Sequence, residues 1–183
     1  MSSLVVTVTG SPSLGSRTVQ LAQQVGRTLA GQGFEVQEIN VRDLPAEDLI
    51  AARGDALALR GPLALIERAR GVVVATPIYK ASYTGVLKSF LDLLPQFGLA
   101  GKVVLPLATG GTPAHVLAID YALRPVLLSL GAQHVVAGLF VHDKLIERQT
   151  GASGIRLDAD IQSRLDAVVA DFAASLRRTH GIN

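Results

Sequence analysis

Residues 4–20 read LVVTVTGSPSLGSRTVQ, and the fold turns on them. A β-branched apolar run, Leu4 to Thr9, ends at Gly10 and reads as a buried strand. From 17 to 30, Val19, Ala22, Val25, Gly26 and Leu29 recur at helical spacing, and Gly31 and Gly33 close that helix. Between strand and helix, Gly10 and Gly15 have the spacing of G-x-x-x-x-G-K-[ST], but Ser16 stands in the lysine position and Arg17 in that of the Ser/Thr. A strand feeding a loop that opens a helix aims backbone N–H groups and the helix dipole at an anion. Ser11, Ser13, Ser16 and Thr18 add hydroxyls, and Arg17 adds a positive charge. A triphosphate site needs the lysine and an acidic magnesium ligand after another strand. Neither is present, because the third and fourth expected strands end in Thr76-Pro77 and Thr109-Gly110. The dinucleotide pattern G-x-G-x-x-G is also absent, and Gly31-Gln32-Gly33 follows a helix. A hydroxyl-lined loop without a metal partner suits a terminal monophosphate; an ordinary Ser/Gly turn with a helix cap has the same spacing.

Outward from this unit the alternation continues. FEVQEIN (34–40) alternates as a second strand, and 41–61 is ambiguous. GPLALIERARG (61–71) predicts a helix with Pro62 near its first position, followed by a strand, VVVATPIY (72–79). TGVLKSFLDLLPQF (84–97) predicts a helix ended by Pro95, and KVVLPLATGG (102–111) a fourth strand. TPAHVLAIDYALRPVLLSLG (112–131) predicts one long helix capped by Thr112, and HVVAGLFVHD (134–143) a fifth strand. TGASGIRL (150–157) reads as a loop. The last helix starts from Asp158, with Ile161, Leu165, Val168, Phe172 and Leu176 on one face and its end charges matched to the dipole. This pattern predicts a flavodoxin-like α/β fold over 1–183 as a single domain. Its five-stranded, doubly wound parallel sheet has the order 2-1-3-4-5, with helices on both faces. Ligands bind such sheets beyond the carboxyl ends of the strands, where segments 10–18, 77–85 and 109–113 converge.

Composition narrows the function classes. The 183 residues are 49% hydrophobic and 17% charged, an apolar balance that suggests surface hidden in a homo-oligomer. A net charge of +2 without like-charge runs excludes a nucleic-acid footprint. Cysteine is absent, which removes thiol catalysis and Cys-based zinc sites. The start carries no basic segment before its apolar run, and the apolar stretch 113–132 is interrupted by Asp120, Arg124 and Pro125. The expectation is a soluble cytoplasmic protein with no membrane partner. His115, His134, His142 and His180 are the histidines; His134 and His142 share a strand face beside Asp143, but surface histidines explain them better than a metal site. No G-x-S-x-G elbow exists, and Lys88 with Asp92 reads as a helix-surface ion pair.

The second loop, TPIYKASYTG (76–85), turns at Pro77 and sets Ile78 and Tyr79 beside exposed backbone amides, as a flat heteroaromatic ring needs; packing is the alternative role for Tyr79 and Tyr83. In the third, ATGGTPAH (108–115), Gly110 and Gly111 let backbone N–H groups approach a ligand, with hydroxyls from Thr109 and Thr112. Together GSPSLGSRT, TPIYKASYTGVLKSFLD and LPLATGGTPAHVLAIDYALRPVL resemble the flavodoxin-like NAD(P)H-dependent FMN reductases over nearly the whole chain, in particular those of two-component alkanesulfonate monooxygenase systems. The resemblance implies that Ser11, Ser16, Arg17 and Thr18 hold the FMN phosphate. It places Pro77, Ile78, Tyr79 and Lys80 against the isoalloxazine ring, and Thr109, Gly110, Gly111 and Thr112 at the ring's polar edge. Many relatives have arginine where this chain has Ser13. The implied activity is NADPH-dependent reduction of FMN, with reduced flavin passing to a flavin-dependent monooxygenase and no side chain serving as acid or base. Alternatives are a reductase with tightly bound FMN acting on quinones, azo dyes or metal oxyanions, and a non-catalytic electron carrier.

Segment 113–131 is apolar on almost every face, which predicts burial all round in the core and a subunit interface. Pro125 has no N–H for the Tyr121 carbonyl, so the helix must kink or open there, as a π-bulge or as a simply kinked core helix. By resemblance, Tyr121 matches a tyrosine that marks a π-helix at a tetramer interface, so a dimer or tetramer is implied.

Overall fold

The computed structural model describes residues 3–149 and 154–181. Its strands and helices run β1 (Leu4–Thr9), α1 (Arg17–Gly31), β2 (Glu35–Asn40), α2 (Ala46–Ile50), α3 (Leu57–Arg68), β3 (Gly71–Pro77), α4 (Gly85–Leu91), β4 (Val103–Gly110), α5 (Arg124–Ser129), β5 (His134–Val135), β6 (Leu139–His142), β7 (Ile146–Arg148), β8 (Ile155–Leu157) and α6 (Ala159–His180). The main sheet is parallel in the order β2-β1-β3-β4-β5, with β6 also beside β4. The expected doubly wound topology therefore forms.

Both faces of the sheet are covered, which explains why its inner strands are apolar runs rather than alternating ones. Val5, Val73 and Leu105 pack on one face with Leu21 and Leu29 of α1 and Phe172 of α6. Val6, Val72 and Val104 pack on the other with Leu59 of α3, Phe90 of α4 and Leu127 of α5. β1, β3 and β4 are buried along their whole length, whereas the edge strand β2 keeps Glu35, Gln37 and Glu38 in solvent. The ends of α6 follow the sequence: the Asp158 side chain accepts from the Asp160 N–H, and Gly181 closes the helix at φ 61°. On its buried face Val169 is sealed while Val168 is only partly covered.

Four boundaries differ from expectation. Helix α3 begins at Leu57 and carries Pro62 in its interior, because burial of Leu59 and Ile66 holds the turns on both sides of the missing N–H. Helix α4 ends at Leu91, well before Pro95, and turns follow. The fifth strand is split into β5 and β6 around Val136–Gly138, where a Cβ on Gly138 would stand 2.9 Å from the Pro106 carbonyl. Part of the expected loop 150–157 instead forms β8, which pairs antiparallel with β7; residues 150–153 lie outside the described ones.

The long helix expected over 112–131 is broken into three pieces. A 3-10 turn spans Pro113–His115, a π-helix spans Ile119–Leu123, and α5 follows. The Arg124 N–H reaches back five residues to the Ile119 carbonyl, and Pro125 supplies no N–H to Tyr121. The expected all-round burial also fails within the chain. Ile119, Leu123 and Leu127 are buried, but Val116, Leu117, Tyr121 and Leu128 face outward, Tyr121 at 79% exposure. With only one side of the segment on the sheet, its other apolar side stays in solvent.

Candidate active site

Three loops meet beyond the carboxyl ends of β1, β3 and β4, and buried hydroxyls tie them together. Gly10 donates its N–H to the Ala75 carbonyl at 2.9 Å. The Thr84 hydroxyl donates to the Gly10 carbonyl at 2.5 Å and accepts from the Leu87 N–H at 3.1 Å, so one side chain caps α4 and holds the first loop. The Thr84 N–H donates to the Thr76 hydroxyl at 3.2 Å, which donates to the Pro77 carbonyl at 3.0 Å. The Ile78 N–H reaches the Thr109 carbonyl at 2.8 Å, joining the second loop to the third. The hydroxyls of Thr18 and Thr109 lie 2.7 Å apart, both buried, joining the first to the third.

This network changes how several expected residues stand. Thr18 and Thr109 are buried and bonded to each other, one hydroxyl donating and the other accepting, so they tie the loops together rather than standing in the open. Ser16 caps α1 by accepting from the Val19 N–H at 3.3 Å, which leaves its own O–H to donate. The Ser11 hydroxyl is buried and accepts from the Ser13 N–H at 3.4 Å, while Ser13 itself is exposed. Arg17 is half-buried and donates from Nε to the Ile146 carbonyl at 3.2 Å, leaving both terminal nitrogens. In the first loop, the N–H groups of Leu14, Gly15 and Ser16 donate to no protein acceptor among the described residues. No carboxylate occurs in 10–18, 76–85 or 109–113. The first loop therefore presents amides, hydroxyls and the Arg17 charge at a helix N-terminus, with no acid in the loop.

The second loop is a tight turn in which Tyr79 and Ser82 exchange both backbone hydrogen bonds, at 2.9 and 3.1 Å. Its two central residues, Lys80 and Ala81, sit at φ 51° and 65°, as a type I′ turn demands but side chains other than Asn and Gly resist. Ile78 does not face the open site. It is buried in a small cluster with Ala108, Ala118 and Ile119, while the neighbouring Tyr79 is half exposed. Pro77 is buried as the last residue of β3, and Lys80 is exposed. In the third loop, a Cβ on Gly110 would stand only 3.0 Å from the Phe140 ring, closer than side chains ordinarily pack, whereas the space around Gly111 is open. The Thr112 hydroxyl accepts from the Ala114 N–H at 3.3 Å and caps the 3-10 turn. Thr84 was legible as a cap, since a Thr-Gly step opens α4, but its bond to Gly10 was not.

Elsewhere, a cavity of about 520 Å³ lined by Arg60, Leu63, Glu67, Phe97 and Lys102 opens at the opposite, amino-terminal ends of the strands, away from these loops. Lys102 there gives its ammonium to the Glu67 and Ala69 carbonyls, both at 2.9 Å, and burial holds its pKa below the ordinary lysine value. Lys88 and Asp92 form the expected i, i+4 pair, and that bond raises the Lys88 pKa. Among the described residues no three His, Asp or Glu side chains gather as metal ligands, and the His142 ring accepts from the Lys144 N–H at 3.1 Å. No helix among them is long and apolar enough to cross a membrane.

Residues 3–145 match the family model described as NADPH-dependent FMN reductase. The FMN reductase (NADPH) of Pseudomonas putida is 45% identical over 175 residues, covering 96% of this chain and 89% of that protein. The Escherichia coli FMN reductase (NADPH) is 44% identical, covering 95% and 90%. The crystal structure of an apo NADH:FMN oxidoreductase superposes with a TM-score of 0.85 at 43% identity, covering 95% of this chain and 90% of that one. A strand-loop-helix cradle without carboxylates and a family match over most of its length lead to the same place: this chain belongs to the NADPH-dependent FMN reductase family and is an NAD(P)H-dependent FMN reductase.

Proposed function

We propose that loop 10–18 holds the FMN phosphate, that the 76–85 turn lies against the flavin ring, and that Gly111 and Thr112 face its polar edge. The observation that carries this reading is the set of unpaired loop amides of Leu14, Gly15 and Ser16 beside Arg17, with no acid in any of the three loops. A phosphomonoester is the anion that such a metal-free cradle fits. When bound, FMN would supply the redox chemistry, as the acceptor of a hydride from the nicotinamide. The chain's own task is positional. Amides and Arg17 anchor the phosphate, Tyr79 offers an apolar wall, and the open backbone at Gly111 places N–H groups where negative charge develops on the pyrimidine edge. No side chain need exchange a proton, which agrees with the absence of carboxylates from the loops.

NADPH is the proposed donor. Relatives at 44–45% identity carry NADPH in their names, while the NADH:FMN oxidoreductase is 43% identical, so overall identity does not decide the nucleotide. The reduced flavin is proposed to leave for a partner flavin-dependent monooxygenase of sulfonate metabolism in the cytoplasm, a role supported by relatives at 33% and 31% identity named NADH-dependent FMN reductases SfnE and SfnF. The outward apolar residues of the broken helix support a homo-oligomer, a dimer or tetramer over a single-domain chain.

Anaerobic stopped-flow absorbance tests the reading. NADPH consumption should require added FMN and saturate with it, and FMN should bind more tightly than riboflavin, which lacks the phosphate. Equal affinity for the two flavins would remove the phosphate cradle, and FMN-independent NADPH oxidation would remove the diffusible-flavin role.

A further inference from the structure

The β7–β8 hairpin reaches the phosphate loop from the far end of the chain. Ile146, Ile155 and Leu157 are buried in the same cluster as Leu21 and Ile161, so the hairpin is anchored on α1 and α6. Two bonds cross between hairpin and loop in opposite directions. Arg17 Nε donates to the Ile146 carbonyl, and the Arg148 guanidinium donates to the Gly15 carbonyl. A Cβ on Gly15 would meet Arg148 Nη1 and Nη2 at 3.4 and 3.5 Å, so the guanidinium lies within van der Waals reach of the loop at this residue. The neighbouring charges on the hairpin are already satisfied. Glu147 accepts from Arg156 at 2.6 Å across the strand pair. Arg148 is exposed and has no carboxylate partner among the described residues.

The Gly15 carbonyl and the Ser16 N–H stand on opposite edges of one planar trans peptide. Holding the carbonyl toward the hairpin turns the Ser16 N–H the other way, away from the hairpin. We infer that Arg148 is a positioning residue for phosphate recognition, acting through the Gly15–Ser16 peptide to keep that N–H aimed at the phosphomonoester. This rests on the reading of loop 10–18 as the phosphate cradle. Charge argues the same way. A phosphomonoester carries up to about −2, and the helix N-terminus with Arg17 supplies roughly +1.5. The nearby Arg148 offsets the shortfall in a loop where position 13 is neutral.

The test is equilibrium binding of FMN and of riboflavin to the parent, R148A, R148Q and R148K, read by quenching of flavin fluorescence, with melting temperature as the folding control. The expected result is a rise of about fivefold to tenfold in the FMN Kd of R148A and R148Q, as for loss of a charge-assisted hydrogen bond. Riboflavin affinity should stay unchanged, and R148K, which keeps a cationic donor, should lie within about twofold of the parent. Three outcomes overturn the inference: unchanged FMN affinity in R148A and R148Q, equal losses for both flavins, or an effect confined to the KM for NADPH. If R148A fails to fold, R148Q against R148K carries the same comparison. A parent that binds FMN and riboflavin alike overturns the cradle reading itself. If R17A loses the preference for FMN while R148A keeps it, the cradle stands and only the Arg148 inference falls.

Discussion

Gly10 is where side-chain size and loop position meet. A Cβ there would sit 2.3 Å from the Leu87 Cβ and 2.9 Å from its Cα, and neither the α4 backbone nor the β1 end can yield cheaply. Gly10→Ala should cost about 2 kcal/mol by forced separation of loop and helix, measured by urea unfolding, and should weaken FMN binding. Ala81 presents the opposite case. At φ 65° its Cβ costs roughly 1–2 kcal/mol, while glycine would give back about 0.4–1 kcal/mol through the unfolded chain. Ala81→Gly should therefore gain about 0.5–1 kcal/mol, seen as a higher denaturation midpoint. A lower midpoint would mean that the turn's strain is relieved by contacts of the Ala81 methyl.

Helix α4 is too short to be stable by propensity, and its position depends on its cap and on Leu87 and Phe90 in the core. Thr84→Val keeps the shape but leaves the Gly10 carbonyl and the Leu87 N–H without their partner in a buried place. The expected loss is about 2 kcal/mol, together with a raised FMN Kd because the first loop loses its tether. Unchanged affinity at reduced stability would show that the tether acts on folding alone. The π-helix at Ile119–Leu123 belongs to the same scale. Proline at 125 was enough to place the disruption at Tyr121, but not its type, because a kink and a π-turn free the same carbonyl.

At the scale of the molecule, Val116, Leu117, Tyr121 and Leu128 form an outward apolar stripe that a second copy would cover. If the proposed oligomer uses this face, Leu128→Glu should shift the species seen by light scattering to smaller mass, and an unchanged mass would rule this face out as its interface. Stability should also depend on pH through His180. Burial is the main cause that lowers its pKa, helped by the charges of Arg70 and Lys102 and opposed by a backbone hydrogen bond at Arg70. The unfolded histidine binds its proton near pH 6.5, while the folded one resists until lower pH. Its contribution is therefore complete above about pH 6.5 and is lost as the pH falls below that value. His180→Gln should flatten this part of the stability profile, measured by thermal melts from pH 5 to 8.

The chain's pattern alone determined the parallel order of the sheet, the three converging loops and the position of the helix break. Each follows from period, β-branched runs and a proline, which act locally or through the handedness of crossovers. Only the tertiary structure decided where the loops' hydrogen bonds go. Thr18 with Thr109 and Thr84 with Gly10 are 91 and 74 residues apart, and their pairing depends on how strands align. The same holds for α3, which keeps Pro62 because its flanking apolar residues are buried, and for the hairpin that brings Arg148 to Gly15. A short strand with charged alternate residues has little local signal, and its partner is chosen by the core beneath it.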